Sequence, residues 1–393
     1  MSVDIFTSLA ENGALMKNQF RNIKWTNTLF LSGTLLTALV ATPIYIAKVG
    51  LSLPQFVLFI FFLVATGLSI TLGYHRLFSH LTFKAKWPVK AFVLLFGAAA
   101  FEGSAIAWSA DHRRHHKFVD HDDDPYDISK GLFYAHIGWL LFRTGPDTPL
   151  TWVRDLQKDR LAYLQHKYYI PIAVFMAFAL PTLIGWIMGG ATAALGAFLM
   201  AGVTRIVVVH HMTFCINSLC HWIGERPYST NCTARDSFLM AICTFGEGYH
   251  NFHHKFQSDY RNGIRGWHFD PTKWTIWLLA KVGLAADLRR VPEEKILQAK
   301  IAEKEKQLLK KVAPAELPES MRQSIATAKA QVESAISRWS IAIAAYREAK
   351  SRRSEISRDE LHSIKDAAKD ARQQFIRFRQ EWLAVYRHAI LAA

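Results

Sequence analysis

Three long stretches of this chain carry no charged residue. They are Trp25–Ala47, Val49–Tyr74 and Tyr168–Thr204, and the third is 37 residues long. A helix needs about 20 mostly apolar residues to cross a bilayer, so each stretch is long enough to span a membrane. The pattern predicts an integral membrane protein, and it excludes both a soluble enzyme and a disordered chain.

The turns inside these stretches predict four transmembrane helices in two hairpins. The first hairpin has its spans over residues 28–47 and 55–73. The second has one span over residues 169–188, a turn at Gly189-Gly190, and a last span from residue 191 to His221. That last span is 31 residues long, or about 45 Å, which exceeds a hydrocarbon core of about 30 Å.

Because both external turns are short, residues 1–24, 74–167 and everything after residue 220 lie on one side of the membrane. Most Lys and Arg residues are in these segments, so the positive-inside rule makes that side cytoplasmic, both termini included. We expect the second and fourth helices to extend into a cytoplasmic helical dome. The apolar stretch 89–110 is expected in this dome or at the interface. The predicted fold class is an all-α integral membrane protein.

The chain changes character after residue 292. A charged helix over residues 293–311 is followed by Pro314 and Pro318. Two apolar stripes with alternating steps of three and four residues come next, and such heptad spacing predicts an antiparallel helical hairpin. We therefore divide the chain into a cytoplasmic N-terminal segment (1–24), a transmembrane domain (25–292) and a cytoplasmic charged helical tail (293–393).

Composition narrows the classes of partner. Charged residues make up 20% of the chain and the formal net charge is +15, which favours an anionic membrane surface, an acidic protein or an anionic substrate. No basic stripe is interleaved with a nucleic-acid-binding motif, so we expect no nucleic acid partner. The four cysteines show no CxxC spacing and are typical of a reducing compartment.

The 17 histidines carry the candidate chemistry, since most of them lie in four clusters on the predicted cytoplasmic side. On a helix, residues i, i+3 and i+4 share a face, and two clusters have this spacing. His75 and His80 are five apart and do not share an α-helical face, so they converge only if the helix frays or a metal lies beside its end. The clusters are His75 with His80; His112, His115 and His116; Asn217 with His221; and His250, His253 and His254.

Nine imidazoles are too many for one metal ion and suit two, because a transition metal takes four to six ligands. Structural zinc fits poorly, since it prefers four ligands that often include thiolates. Spacing alone leaves iron, copper and zinc open.

The segments GYHRLFSH, DHRRHHKFVDHDDDPYD, NSLCH and GEGYHNFHHKF closely resemble the membrane acyl-CoA desaturases of the stearoyl-CoA Δ9 type. The resemblance covers about residues 25–292. It implies a di-iron centre that uses O2 and two electrons to introduce a cis double bond into a saturated fatty acyl chain held in an apolar tunnel. One implied ligand set is His75, His80, His112, His116 and His253; the other is His115, His221, His250 and His254, with a water positioned by Asn217.

The resemblance also assigns Trp108 to the substrate entrance, although an interfacial aromatic residue is an equal reading of its position. Gly103 and Ala110 stand where animal members have an asparagine and an arginine near the CoA headgroup. This difference leaves lipid-linked acyl chains open beside acyl-CoA.

The chain has no fused haem segment, GxGxxG motif or iron–sulfur cysteine pattern. We therefore expect an external electron donor: a ferredoxin, rubredoxin or cytochrome b5-like protein with an NAD(P)H reductase. This absence, with that of eukaryotic retention signals, favours a bacterial inner membrane. A lipid or alkane hydroxylase on the same iron scaffold is the nearest alternative, and a metal-handling membrane protein is an alternative of a different class.

Other histidines are not assigned to the metals. His210 is expected to pack, whereas His211 is expected near the tunnel. The acidic loop Asp120–Asp127, including His121, is expected to be a solvated turn, because aspartates in such turns usually cap backbone groups. His268 has no clear ligand role.

Overall fold

The computed structural model describes residues 22–312 and 317–392, so most of the predicted N-terminal segment and Pro314 lie outside the described residues. The described part is mostly helical and divides into two compact units. The first contains the described residues up to Arg226 together with Asn231–Arg290, and the second contains Pro227–Thr230 and the described residues from Val291 onward.

The first unit is built from helices and one small sheet. The π-helical segments are Ser69–Ser79, Tyr134–Gly138, Phe175–Ala179 and Phe198–Thr204, and the 3-10 turns are Ile128–Lys130 and Leu150–Val153. Strands β1 (Lys84–Ala85) and β2 (Ala285–Ala286) pair antiparallel, with Lys84 opposite Ala286. The α-helices are α1 (Trp25–Val49), α2 (Leu53–Leu68), α3 (Trp87–Ala98), α4 (Ala105–Phe118), α5 (Trp139–Leu141), α6 (Arg154–Gln157), α7 (Arg160–Lys167), α8 (Tyr169–Val174), α9 (Leu180–Ala197), α10 (Arg205–Asn217), α11 (Leu219–Trp222), α12 (Phe238–Cys243), α13 (His250–Lys255) and α14 (Pro271–Lys281).

Three helical stretches of the described chain are long and apolar enough to cross a membrane: Trp25–Val49, Leu53–Ser79 and Tyr169–Trp222. The third is interrupted where predicted, since Gly189 and Gly190 have non-helical backbone angles and Gly190 has φ +67°. Many apolar side chains of α1 are exposed, as expected for a helix that faces lipid rather than a protein core. The chain is therefore an integral membrane protein.

His75 and His80 converge, but the expectation that the helix frays there is wrong, because Ser69–Ser79 is a π-helix and the His80 N–H donates to the His75 carbonyl at 3.1 Å. A π-helix has hydrogen bonds between residues five apart, so residues i and i+5 come together. The two imidazole rings consequently lie 4.8 Å apart between centroids.

The second unit contains α15 (Glu293–Val312), α16 (Glu319–Ser351) and α17 (Arg358–Ala392). The last two helices pack against each other as the predicted hairpin, with Trp339 and Phe375 stacked 5.6 Å apart. The Ser357 hydroxyl accepts the Glu360 N–H and caps α17. The apolar stripes form the core of this unit.

Candidate metal centre

Helix α4 carries three of the histidines, and its start is fixed locally. The Ser104 side chain accepts the Ala107 N–H and caps the helix. Before it, Phe101 and Gly103 have φ of +58° and +94°, so the chain turns sharply into α4. Glycine is the residue that adopts such angles without strain.

Helix α13 carries three more histidines and follows a glycine-rich segment. Gly246 has φ +100°, which favours glycine. Gly248 lies directly against the backbone of α12, where a Cβ atom would collide with Met240 and Ala241. Both glycines therefore allow His250 to enter the interior of the unit, where it is 1% exposed.

The nine histidines of the predicted ligand sets meet in two groups. Each residue in a group offers a ligand atom within 4.8 Å of the others. We call them the five-histidine group and the four-histidine group. The five-histidine group is His75, His80, His112, His116 and His253, and the four-histidine group is His115, His221, His250 and His254.

The distances between ring nitrogens test whether these groups fit a metal. In the five-histidine group, Nε2 atoms lie 2.8 Å apart for His80 and His112 and 3.0 Å apart for His75 and His253. In the four-histidine group, His250 Nε2 lies 3.2 Å from His221 Nε2. With metal–nitrogen bonds of roughly 2.1 Å, ligands at right angles lie ~3.0 Å apart and tetrahedral ligands ~3.4 Å apart. The spacing in the five-histidine group fits ligands at right angles, whereas the 3.2 Å in the four-histidine group lies midway between the two arrangements.

The protonation of the rings also suits metal binding. Burial, followed by repulsion from neighbouring imidazoles, lowers the pKa of His112, His116 and His253 well below its usual value, and the pKa of His80, His250 and His254 likewise. These rings are therefore neutral near pH 7, which leaves a nitrogen lone pair to bind a metal. Nε2 of His115 is buried with no hydrogen-bond partner in the described chain, as expected for an atom that faces a metal.

A buried charged cluster orients the five-histidine group. Nδ1 of His75 lies 2.9 Å from Oε2 of Glu247, and Oε1 of Glu247 accepts a hydrogen bond from Arg76 at 2.8 Å. Arg76 also contacts Asp270 at 3.0 Å. Burial favours the neutral carboxyl, but Arg76 and His75 outweigh it and lower the pKa of Glu247. Glu247 is consequently an ionised acceptor for the His75 ring, and such contacts fix ligand orientation.

The acidic loop Asp120–Asp127 orients the four-histidine group, so the expectation of a solvated turn is wrong for two of its aspartates. Nδ1 of His115 lies 2.8 Å from Oδ1 of Asp124, which is 3% exposed. Nδ1 of His221 lies 2.8 Å from the Thr233 hydroxyl, which donates to Asp120. His121, Asp122 and Asp123 behave as predicted, since all three are exposed.

A cavity of about 460 Å³ reaches the five-histidine group. His75 and His112 line it, together with Trp108, Asn217 and a mostly apolar wall. The Trp108 ring stacks on His112 at 4.8 Å and its Nε1 donates to Glu102. Trp108 and Asn217 therefore face the same space, although the helix that contains Asn217 breaks at Ser218 before His221.

His210 packs as expected: it is buried, its ring stacks on Phe214 at 5.4 Å and its Nε2 lies 2.6 Å from the Ala100 carbonyl oxygen, although it also lines the cavity. His211, which was expected near the tunnel, instead pairs with His136 at 3.0 Å. His268 stacks on Tyr249 rather than joining either group. Helix periodicity places His210 and His211 on different faces but does not show which face meets the cavity.

Sequence reasoning missed four polar residues: Glu102, Asp120, Asp124 and Glu247. Glu102 had a signal, because a lone carboxyl in an apolar stretch needs buried partners; here they are Trp108 and Thr213. The other three act on histidines, and acidic partners of metal-binding histidines are common. Glu247 lies three residues before His250, so its position beside a histidine cluster was a usable signal.

Known proteins that this chain resembles in sequence are described as desaturases. Residues 52–277 match the sequence profile described as "Fatty acid desaturase". "Probable acyl-CoA desaturase" of Schizosaccharomyces pombe is 40% identical over 75% of this chain and 60% of its own length. "Acyl-CoA desaturase 1" of Saccharomyces cerevisiae is 40% identical over 78% of this chain and 59% of its own length.

Human "Stearoyl-CoA desaturase" is 37% identical over 61% of this chain and 67% of its own length. The chain thus spans about three fifths of the length of the two yeast relatives.

Proposed function

Because this chain belongs to the fatty acid desaturase family, we propose that it is an O2-dependent desaturase that introduces a cis double bond, at Δ9, into a saturated fatty acyl chain carried on CoA. The observation that supports this most is the cavity lined by His75 and His112. An apolar chain in this cavity would lie beside the five-histidine group. Apolar walls also exclude water from the reacting carbons.

The proposed cofactors are two iron ions. One is held by the five-histidine group and the other by the four-histidine group, with Asn217 positioning a water. Bound iron, with O2 and two electrons, supplies the oxidising power that an unactivated C–H bond requires and that acid–base side chains lack. Burial keeps rings such as His112 and His253 neutral, hydrogen bonds orient His75 and His115, and the cavity positions the acyl chain.

Trp108 is the proposed substrate-binding residue. Its ring is fixed by stacking on His112 and by the hydrogen bond from Nε1 to Glu102. A fixed indole beside His112 would hold the acyl chain against the metal groups. Gly103 also lines the cavity, and its lack of a side chain keeps a lipid-linked carrier compatible with this site.

The electron donor is proposed to be a separate ferredoxin, rubredoxin or cytochrome b5-like protein served by an NAD(P)H reductase. The net charge of +15 would attract an acidic donor to the protein surface. We also propose four spans, cytoplasmic histidine groups and a bacterial inner membrane. Cysteine accessibility from each side of sealed vesicles tests that orientation.

The decisive experiment is a fatty-acid profile with double-bond location by gas chromatography and mass spectrometry. Hosts would express the wild type, His115→Ala or the exposed control His121→Ala, each with a donor system supplied. We expect new Δ9 monounsaturated chains in the wild type and the control but not in His115→Ala. Hydroxylated chains would instead identify a hydroxylase, and no new product with an active donor would refute the oxidative function.

A further inference from the structure

Two rings of the four-histidine group are held by one short surface loop. Oδ1 of Asp124 accepts from His115 Nδ1 at 2.8 Å and from the Tyr126 N–H at 2.9 Å. Its other oxygen accepts the Asp120 N–H at 3.2 Å. The carboxylate that orients His115 is thus tied to the loop backbone on both sides.

The second ring is held through a relay. Thr233 accepts from His221 Nδ1 at 2.8 Å and donates to Asp120 at 2.6 Å, and the Thr233 N–H donates to the other Asp120 oxygen at 2.6 Å. Asp120 has φ +63°, a left-handed conformation that is uncommon outside glycine. The contacts with Thr233 and Asp124 therefore compensate a strained backbone at the position that supports His221.

Among the described residues, no hydrogen bond or ring contact joins this loop to the five-histidine group. The orienting carboxylate there is Glu247, which is 1% exposed and held by Arg76, and Arg76 in turn contacts Asp270. Within the four-histidine group, His250 Nδ1 is buried without a hydrogen-bond partner among the described residues. His115 and His221 are the rings of this group with an acidic partner among the described contacts.

We propose that the loop Asp120–Asp127 sets the metal occupancy of the four-histidine group independently of the five-histidine group, with Asp124, Asp120 and Thr233 as positioning residues. The inference rests on the metal binding proposed above but not on the reaction. The two groups therefore differ in what holds them: a buried ion cluster orients one, and a surface loop orients the other.

The test measures metal bound per purified full-length chain, using anaerobic titration with Fe(II) and, separately, Co(II), whose absorption reports binding to the imidazole ligands. Removing an outer partner of a metal-binding histidine weakens metal affinity about 10–100-fold. We expect Asp124→Ala and Thr233→Val to weaken one of the two binding steps by this factor and to leave the other unchanged. Thr233→Ser keeps the hydroxyl and should restore both steps.

Asp122→Ala is the matched control, because Asp122 is an exposed carboxylate of the same loop and its loss changes the charge equally. Circular dichroism and gel filtration verify folding of each variant. Equal weakening of both steps, or no difference from Asp122→Ala, would overturn the proposal. A wild type that binds two metals but forms no unsaturated lipid would instead refute only the desaturase function.

Discussion

Helices α4 and α13 carry the same seven-residue pattern, His-x-x-His-His-Lys-Phe, at His112–Phe118 and His250–Phe256. In each helix the three histidines of this pattern are divided between the two groups, but the two helices divide them in opposite ways. Helix α4 gives His112 and His116 to the five-histidine group and His115 to the other, whereas α13 gives His250 and His254 to the four-histidine group and His253 to the other. Each helix therefore joins both groups, and the groups cannot separate without moving a helix.

The residues between the histidines differ with the surroundings of each helix. Arg113 and Arg114 on α4 reach Asp155 and Asp123 near the surface. The corresponding Asn251 and Phe252 on α13 are 0% and 1% exposed. The shared pattern thus decides which side chains could bind metal, and the intervening residues indicate which helix is enclosed by protein.

A glutamate that lines the cavity precedes each helix, Glu102 partly buried and Glu247 buried, but the two differ in charge. Glu247 contacts Arg76 and is ionised. Glu102 accepts only from Trp108 and Thr213 in the described contacts, and burial raises its pKa to about 8. Glu102 is therefore mostly protonated at neutral pH, which suits an apolar cavity.

The largest predicted effect comes from removing the single histidine that each helix contributes to one group. These are His115 of α4 in the four-histidine group and His253 of α13 in the five-histidine group. His115→Ala should selectively weaken metal binding by the four-histidine group, and His253→Ala should do so for the five-histidine group. Both should lower the proposed desaturation at least 100-fold, because the proposed reaction requires both metals. Metal titration and product analysis check this, and loss of the same metal in both variants would contradict the reciprocal arrangement.

Replacing the third residue of each seven-residue pattern by alanine should lower the stability of the protein much more in α13 than in α4. Phe252→Ala should cost about 3–5 kcal/mol, because it leaves a cavity in a closed core. Arg114→Ala should cost about 1 kcal/mol or less, as is usual for surface ion pairs. Unfolding by SDS titration in mixed micelles measures both; similar costs would mean that α4 is as enclosed as α13.

Replacing each glutamate by glutamine should destabilise the protein at Glu247 but not at Glu102. Glu247→Gln leaves Arg76 with one carboxylate partner fewer, and breaking a buried ion pair costs about 3 kcal/mol. Glu102→Gln replaces a neutral carboxyl by a neutral amide and should not destabilise the protein at pH 7. Thermal unfolding in detergent provides the comparison, and a larger loss for Glu102→Gln would show that Glu102 is the ionised residue.

The smallest predicted effect is a pH dependence. The native pKa of Glu102 is about 8, above its ordinary value of 4.5, so the unfolded chain releases this proton first and the contribution of Glu102 to stability falls as pH rises from 4.5 towards 8. Acyl-chain affinity should weaken several-fold above pH 8, when the carboxylate ionises. Glu102→Gln should bind with a flat profile across this range, and an unchanged slope in the variant would exclude Glu102 as its source.

Much of the candidate site could be predicted because it is locally encoded. The spacing of His112, His115 and His116 follows from helix periodicity, and three charge-free stretches suffice to predict a membrane protein. The convergence of His75 and His80 could not be predicted this way, since nothing in the local sequence distinguishes a π-helix from an α-helix. Asp124 was misread because exposed and buried aspartates look alike in a Pro-containing turn.

The sequence by itself determined the membrane-spanning stretches, the nine clustered histidines and the hairpin of the tail, because each depends on side-chain periodicity within one segment. The resemblance to the desaturases already implied how the rings divide between two groups, and the structure has the same division. Only the tertiary structure decided which carboxylates orient the rings. His75 meets Glu247, and His221 meets Asp120 through Thr233. Those partners lie far apart along the chain, and burial and hydrogen bonding, rather than spacing, select which of the available acidic residues faces each ring.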